Sequence, residues 1–248
     1  MEFRHVGRDP LFLTCSQCHA LIANVPGRVH RMTCCARYCA AESKFDGKVA
    51  EADLRRYQRS GPDPSTKILL AELRRWPLQG LHLLDVGSGI GVIGLELADT
   101  GVASVTLADA SPAYLEVARH QVAPRYAPRP AQFILGDFAV TSDTLADADI
   151  VTLDRVVCCY PDADALLRGA AARARRLVAF TYHPDRWYLR AAIALENFLY
   201  RLSGNPFRAF IHSPQRMNSV LETAGFVRAA RNETLVWALD LYHRLNPT

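Results

Sequence analysis

The sequence predicts an α/β fold: a mostly parallel sheet wound from βαβ units and closed by an antiparallel hairpin. Three observations carry this. The run Leu83-Leu84-Asp85-Val86-Gly87-Ser88-Gly89-Ile90-Gly91-Val92-Ile93-Gly94 takes an apolar strand into a glycine-rich turn that opens a helix. From Leu81 onward, short apolar strands alternate with helical patterns, as βαβ units do. The last two candidate strands have no helix between them, so they pair as a hairpin. The 248 residues suit one large domain with a modest extension, and 50% hydrophobic content is enough for a sizeable core.

Residues 1–47 read as a Cys-rich extension with little periodicity, and 48–248 as the domain proper. Two helices, 48–60 and 64–75, are separated by the breaker Gly61-Pro62-Asp63-Pro64. Strands are expected at 81–86, 103–108, 131–135, 148–154 and 175–182. The helices between and after them are expected at 91–99, 112–122, 162–174 and 186–202. Ser111-Pro112 and Pro161-Asp162 supply helix openings, because proline suits the first turn, where its missing N–H is not needed. A last helix, 214–224, starts after Ser213 and stops at Gly225. The closing strands lie near 226–231 and 234–242, and no internal repeat is present.

A net charge of +4 without a basic run does not point to nucleic acid. No stretch reaches the ~18 uninterrupted apolar residues of a membrane span. The segment 11–25 makes a poor signal peptide because Cys15, Gln17, Cys18, His19 and Asn24 interrupt it. The expected location is the cytoplasm. Seven cysteines, five of them in the first 39 residues, fit metal or thiol chemistry in a reducing compartment better than a disulfide framework.

Asp109 ends the second strand 22 residues after Gly87, where a carboxylate can accept both ribose hydroxyls of an adenosine cofactor. Ala110 and Ser111 then lie near the adenine. Asp137, followed by Phe138, ends the third strand 50 residues after Gly87. The fourth strand runs into Asp154-Arg155-Val156-Val157-Cys158-Cys159-Tyr160-Pro161. Ligands of open α/β sheets bind beyond the carboxyl ends of the strands, so this loop is the expected place for chemistry. The loop lacks the Asn/Asp-Pro-Pro-aromatic motif of DNA amino-methyltransferases and the Pro-Cys nucleophile of cytosine-C5 enzymes.

With these marks in register, residues 48–242 resemble class I methyltransferases dependent on S-adenosylmethionine (SAM). The closing hairpin separates this resemblance from a dinucleotide domain. It implies a Rossmann-like seven-stranded sheet of order 3-2-1-4-5-7-6. It also implies a SAM site made from Asp85, Gly87, Ser88, Gly89, Gly91, Asp109, Ala110, Asp137, Phe138 and Asp154. Tyr57, beside Arg56 on the helix before the domain, is placed where this fold often lids the cofactor. Within the superfamily the chain resembles magnesium-protoporphyrin IX O-methyltransferases in three features. These are the helix pair around Gly61, the run from Asp154 into Tyr160-Pro161, and Phe180-Thr181 with Pro184, followed by a long apolar helix and Ile211-His212. Cys159 stands where plant-type and cyanobacterial members tend to carry His.

Cys15-x2-Cys18-x16-Cys35-x3-Cys39 approaches the spacing of a four-cysteine zinc ribbon, with His19 and Cys34 as spare ligands. The alternative is a set of small buried residues. Tyr160, His183 and Cys159 are the candidates for acceptor chemistry, with Cys158 and His212 behind them; each also reads as an ordinary loop or packing residue. The function expected is methyl transfer from SAM to a small or medium-sized carboxylate, hydroxyl or thiol. The alternatives are a porphyrin-type carboxyl methyltransferase and a SAM- or zinc-binding interaction protein without turnover.

Overall fold

The computed structural model describes residues 44–245. Two helices, α1 (Gly47–Ser60) and α2 (Pro64–Leu73), precede the sheet. Then follow β1 (His82–Val86), α3 (Val92–Leu97), β2 (Ser104–Asp109), α4 (Pro112–Tyr126), β3 (Ala131–Leu135) and a single turn, α5 (Phe138–Thr141). The second half comprises β4 (Ala148–Leu153), α6 (Ala163–Arg173), β5 (Ala174–Tyr182), α7 (Trp187–Leu202), α8 (Pro214–Thr223), β6 (Phe226–Glu233) and β7 (Ala238–Arg244). The strands form one sheet of order β3-β2-β1-β4-β5-β7-β6, as the resemblance implied. β1 to β5 are parallel, and β7 enters antiparallel between β5 and β6.

The strand period of two sorts the core into two layers. Leu84, Val86, Val151 and Leu153 face α6 and α8 with Leu166, Leu167, Met217 and Leu221. Leu83, Val105, Leu107 and Ile150 face α2, α3 and α4 with Leu69, Leu73, Ile93 and Val122. Both faces of the central strands are covered, which is why they read as continuous apolar runs. The carboxyl ends of β1 to β5 then share one edge and present Gly87, Asp109, Gly136-Asp137, Asp154 and His183 there.

Helix starts follow the expected chemistry: the side chains of Ser111, Asp162 and Ser213 accept from the N–H of Tyr114, Ala165 and Arg216. Four details differ from expectation. α4 continues one turn past 122, despite Pro124, because Tyr126 is fully buried and donates its hydroxyl to the Gly94 carbonyl at 3.1 Å. α3 gives way to a 3-10 turn at Ala98–Thr100, which ends on Gly101. β7 starts at Ala238, not 234, because the Thr234 N–H donates to the Trp237 carbonyl at 2.7 Å and closes a turn. In α7, which read as a long apolar helix, only Leu189 and Ile193 are buried; Trp187 is 81% exposed and Phe198 is also exposed.

Candidate cofactor and acceptor site

A cavity of about 620 Å³ opens along the carboxyl edge of the sheet, within the ~300–1,000 Å³ typical of ligand pockets. It runs from Gly87, Asp109 and Asp137 to Cys159, His183 and Trp237. A smaller recess of about 70 Å³ adjoins it under α1, bordered by Tyr57, Asp85, Ser88 and Asp154.

The glycine turn is held from below. The Gly87 N–H donates to the Ala108 carbonyl at 2.7 Å, and the Gly91 N–H to Ser88 at 2.9 Å. Gly87 has φ +62, and a Cβ there would meet Val156 Cγ2 at 2.3 Å. The turn therefore packs against the loop after β4. Gly91 makes a different contact. It borders neither cavity; it caps α3 at φ +82, and a Cβ would meet Val122 Cγ2 at 2.6 Å. The bare glycine lets α3 pack closely on α4.

Asp109 receives the Gly89 N–H on one oxygen and the Ser111 N–H on the other, both at 2.8 Å. A carboxylate has about four acceptor positions, so about two remain for hydroxyls of a ligand. Burial raises the Asp109 carboxyl above its ordinary range, and these N–H bonds oppose the shift. Asp137 accepts the Tyr160 hydroxyl at 2.7 Å and the Ala139 N–H at 3.0 Å, both on Oδ1. Its Oδ2 has no partner among the described residues, which suits an amino-group donor. Ser88 Oγ is buried beside the turn without a hydrogen-bond partner among the described residues. Such an orphan is uncommon and fits a ligand group placed there. Ala110 and Phe138 also border the cavity, and Phe138 is at the same time a core residue.

Asp85 lies 2% exposed and accepts the Thr152 hydroxyl at 2.6 Å from the adjacent strand. Burial pushes its carboxyl up to about 8; the Thr152 bond opposes this, while Asp154 and Asp109 add to it. Asp154 is gripped by the hydroxyls of Thr66 at 2.5 Å and Thr181 at 2.6 Å. Tyr57 donates to Glu96 at 3.0 Å; burial and then that carboxylate push its phenol up to about 12.

At the far end, the Nδ1 of His183 lies 2.9 Å from the Val236 carbonyl, and its ring stacks on Trp237 at 4.2 Å. A carbonyl can only accept, so Nδ1 carries a proton, and in the neutral ring the lone pair is the one on Nε2. Tyr160 is held by Asp137; burial first, then that carboxylate, raises its phenol well above the usual range. His212 does not border the cavity. Its Nε2 donates to the Tyr160 carbonyl at 2.8 Å, fixing the loop, and burial lowers its value.

Several cavity residues escaped the sequence reading. Arg155 has φ +59, unusual for a non-glycine; its N–H donates to Thr181, and its guanidinium pairs with Asp63 at 2.6 Å. Lys44 donates to the Tyr200 hydroxyl at 2.5 Å and lies 3.9 Å from the Phe207 ring centre. Phe207, Arg208 and Phe210 form a wall. A positive φ beside Asp154 has no sequence signature, and neither does a loop that folds back from beyond α7. Cys15, Cys18, Cys35 and Cys39 lie outside the described residues. Among the described residues no group of three or more His, Cys, Asp or Glu side chains is arranged to hold a metal, and no helix is long and apolar enough to cross a membrane.

Residues 83–178 match a family model described as a methyltransferase domain. No curated protein sequence matches the chain. Solved structures share its fold. Magnesium protoporphyrin IX methyltransferase from Synechocystis PCC 6803, with bound S-adenosylhomocysteine, superposes with TM-score 0.63 at 19% identity, covering 84% of this chain and 99% of that one. An O-methyltransferase family protein from Burkholderia thailandensis gives 0.61 at 16% identity, covering 82% and 62%. A TehB-like SAM-dependent methyltransferase from Corynebacterium glutamicum gives 0.56 at 16% identity, covering 80% and 97%.

Proposed function

We propose that this chain, which has the class I methyltransferase fold and matches a methyltransferase-domain model over residues 83–178, is a SAM-dependent methyltransferase acting on a small or medium-sized acceptor. The observation that carries this reading is a pair of strand-end carboxylates, Asp109 and Asp137, with unfilled acceptor positions beside one cavity. Asp109 would hold ribose hydroxyls and Asp137 Oδ2 the adenine amino group, with Ala110 and Phe138 beside the ring. Ser88, Gly89, Asp85 and Asp154 would face the amino-acid end, with Tyr57 covering it. When bound, SAM supplies an electrophilic methyl group on a sulfonium.

The residues of the chain then orient the acceptor and exclude water, because an in-line transfer depends on alignment more than on a strong base. His183 Nε2 accepts the acceptor's proton where one must leave, with Nδ1 fixed by the Val236 carbonyl. Tyr160 holds Asp137 through its hydroxyl and lends its ring to the wall, and Cys159 lies alongside. A carboxylate acceptor of the porphyrin type is the second reading, and Arg208 favours it. Its Nη1 donates to the carbonyls of Asn205 and Phe207, and no carboxylate among the described residues pairs with it.

The test combines calorimetry with transfer of labelled methyl from SAM to a panel of hydroxyl, thiol and carboxyl acceptors. His183→Gln should keep SAM affinity and reduce turnover by roughly a hundredfold on a protonated acceptor. Tyr160→Phe should weaken SAM several-fold by releasing Asp137, the scale of one hydrogen bond, ~0.5–1.5 kcal/mol. Absence of SAM binding would overturn the cofactor assignment. Binding without transfer to any acceptor would favour an interaction protein.

A further inference from the structure

The acceptor end of the cavity contains two thiols that the methyl-transfer reading leaves without a shared task. Cys158 and Cys159 are both free, and both border the cavity. They are neighbours on the 3-10 turn Val157–Cys159, where successive side chains point about 120° apart. Their sulfurs nevertheless converge to 4.0 Å, and each lies 3.5 Å from the Arg155 carbonyl. The loop fixes this convergence, because the Cys159 N–H donates to the Val156 carbonyl and Val156 packs against Gly87.

We infer that Cys158 and Cys159 form a two-thiol site for a trivalent, thiophilic ligand, an organoarsenic(III) compound being the type. Two sulfurs at this separation are close enough for one atom to bridge them. A four-coordinate ion such as zinc needs further protein donors. No third metal-ligating side chain joins the pair among the described residues. A three-coordinate centre that brings its own carbon substituent needs only two. The aromatic wall of Phe207, Phe210 and Trp237 gives that substituent an apolar surface. Lys44 and Arg155 lie near enough to favour the thiolate of Cys159, whose value is lowered first by its bond from Cys158. Cys158 is pushed up by the same bond and by burial, so one sulfur is the better first nucleophile.

The step balances without an oxidant. A hydrated organoarsenical, R–As(OH)₂, loses two As–O bonds and gains two As–S bonds. Each thiol proton leaves with a hydroxide as water, and arsenic stays trivalent. This site does not depend on the methyl-transfer reading, although a bound arsenical would occupy the space proposed for the acceptor.

The probe is phenylarsine oxide. The remaining five cysteines of the chain, including the adjacent pair Cys34 and Cys35, would also react. The parent for the test is therefore the full chain with those five changed to Ser. Native mass spectrometry should show one phenylarsenic adduct per chain, removed by a dithiol and resistant to a monothiol. Peptide mapping after native alkylation should show Cys158 and Cys159 protected together. Cys158→Ser and Cys159→Ser should each weaken the adduct by about a hundredfold or more, the scale of losing one arm of a two-point attachment. Calorimetry with SAM on the same preparations reports separately on the cofactor reading. No adduct on a folded parent would overturn the proposal, as would protection of one cysteine only, or undiminished binding in either single variant. If a variant fails to fold, the mapping on the parent decides.

Discussion

Asp85 shows how burial sets the behaviour of one group. Its buried carboxyl on β1 accepts from Thr152 on β4 and rises from an ordinary value of 3.8 to about 8, chiefly because water is excluded. Below the ordinary value the folded and unfolded chains both hold the proton, and burial adds no ionisation cost. Between there and about 8 the unfolded chain releases it first, so stability falls as pH rises; above about 8 the full cost persists. Asp85→Asn keeps an acceptor for the Thr152 hydroxyl and cannot ionise. Thermal unfolding from about pH 5 to about pH 9 should therefore show the variant gaining on the native chain as pH rises. A constant gap would mean that Asp85 is not neutral in the fold. Asp109 answers to a different measurement. Asp109→Ala removes acceptors for two ribose hydroxyls at ~1.5–3 kcal/mol each, so SAM affinity by calorimetry should fall at least tenfold. Unchanged affinity would remove Asp109 from the site.

At the scale of elements, the junction of α3 and α4 makes the glycine turn possible. Gly91 stands at φ +82 with Val122 Cγ2 and Leu107 Cδ1 where a Cβ would go, at 2.6 and 3.2 Å. Gly91→Ala forces a left-handed alanine and an overpacked contact, at a cost of ~1–3 kcal/mol. The melting temperature should drop by roughly 2–4 °C for each kcal/mol lost. Adding Val122→Ala should restore part of that loss, because the clash is local and the two sites are coupled. Simple addition of the two losses would show that the contact is not what Gly91 protects. The three helix openings at Ser111, Asp162 and Ser213 could be read in the sequence because a cap is a local bargain between a side chain and the next N–H groups. The extra turn of α4 could not, since it depends on Tyr126 reaching Gly94 across 32 residues.

At the scale of the molecule, residues 44–245 supply two apolar layers and a seven-stranded sheet. A chain beginning at residue 44 should therefore unfold cooperatively and bind SAM as the full chain does, by calorimetry and thermal melting. It keeps Lys44 against Tyr200, and Phe45 edge-to-face with Tyr114 and Phe207 at 5.7 and 5.8 Å, contacts that close one side of the cavity. Loss of cooperative unfolding in that chain would show that residues before 44 belong to the folding unit.

The sequence by itself determined the βαβ succession, the closing hairpin, the glycine turn and the strand-end carboxylates Asp109 and Asp137. These follow from periodicity and from backbone demands carried by neighbouring residues. Tertiary structure decided what each such residue faces. Gly87 meets the loop after β4 while Gly91 meets α4, although the two sit in one motif. Tyr160 turns its hydroxyl to Asp137, and His212 holds the Tyr160 carbonyl, leaving His183 at the open end. Lys44, Phe207, Arg208 and Trp237 reach the cavity from distant segments because the sheet order 3-2-1-4-5-7-6 brings their loops to one edge. Contacts of that kind join residues far apart in the chain, and no local pattern in the sequence encodes them.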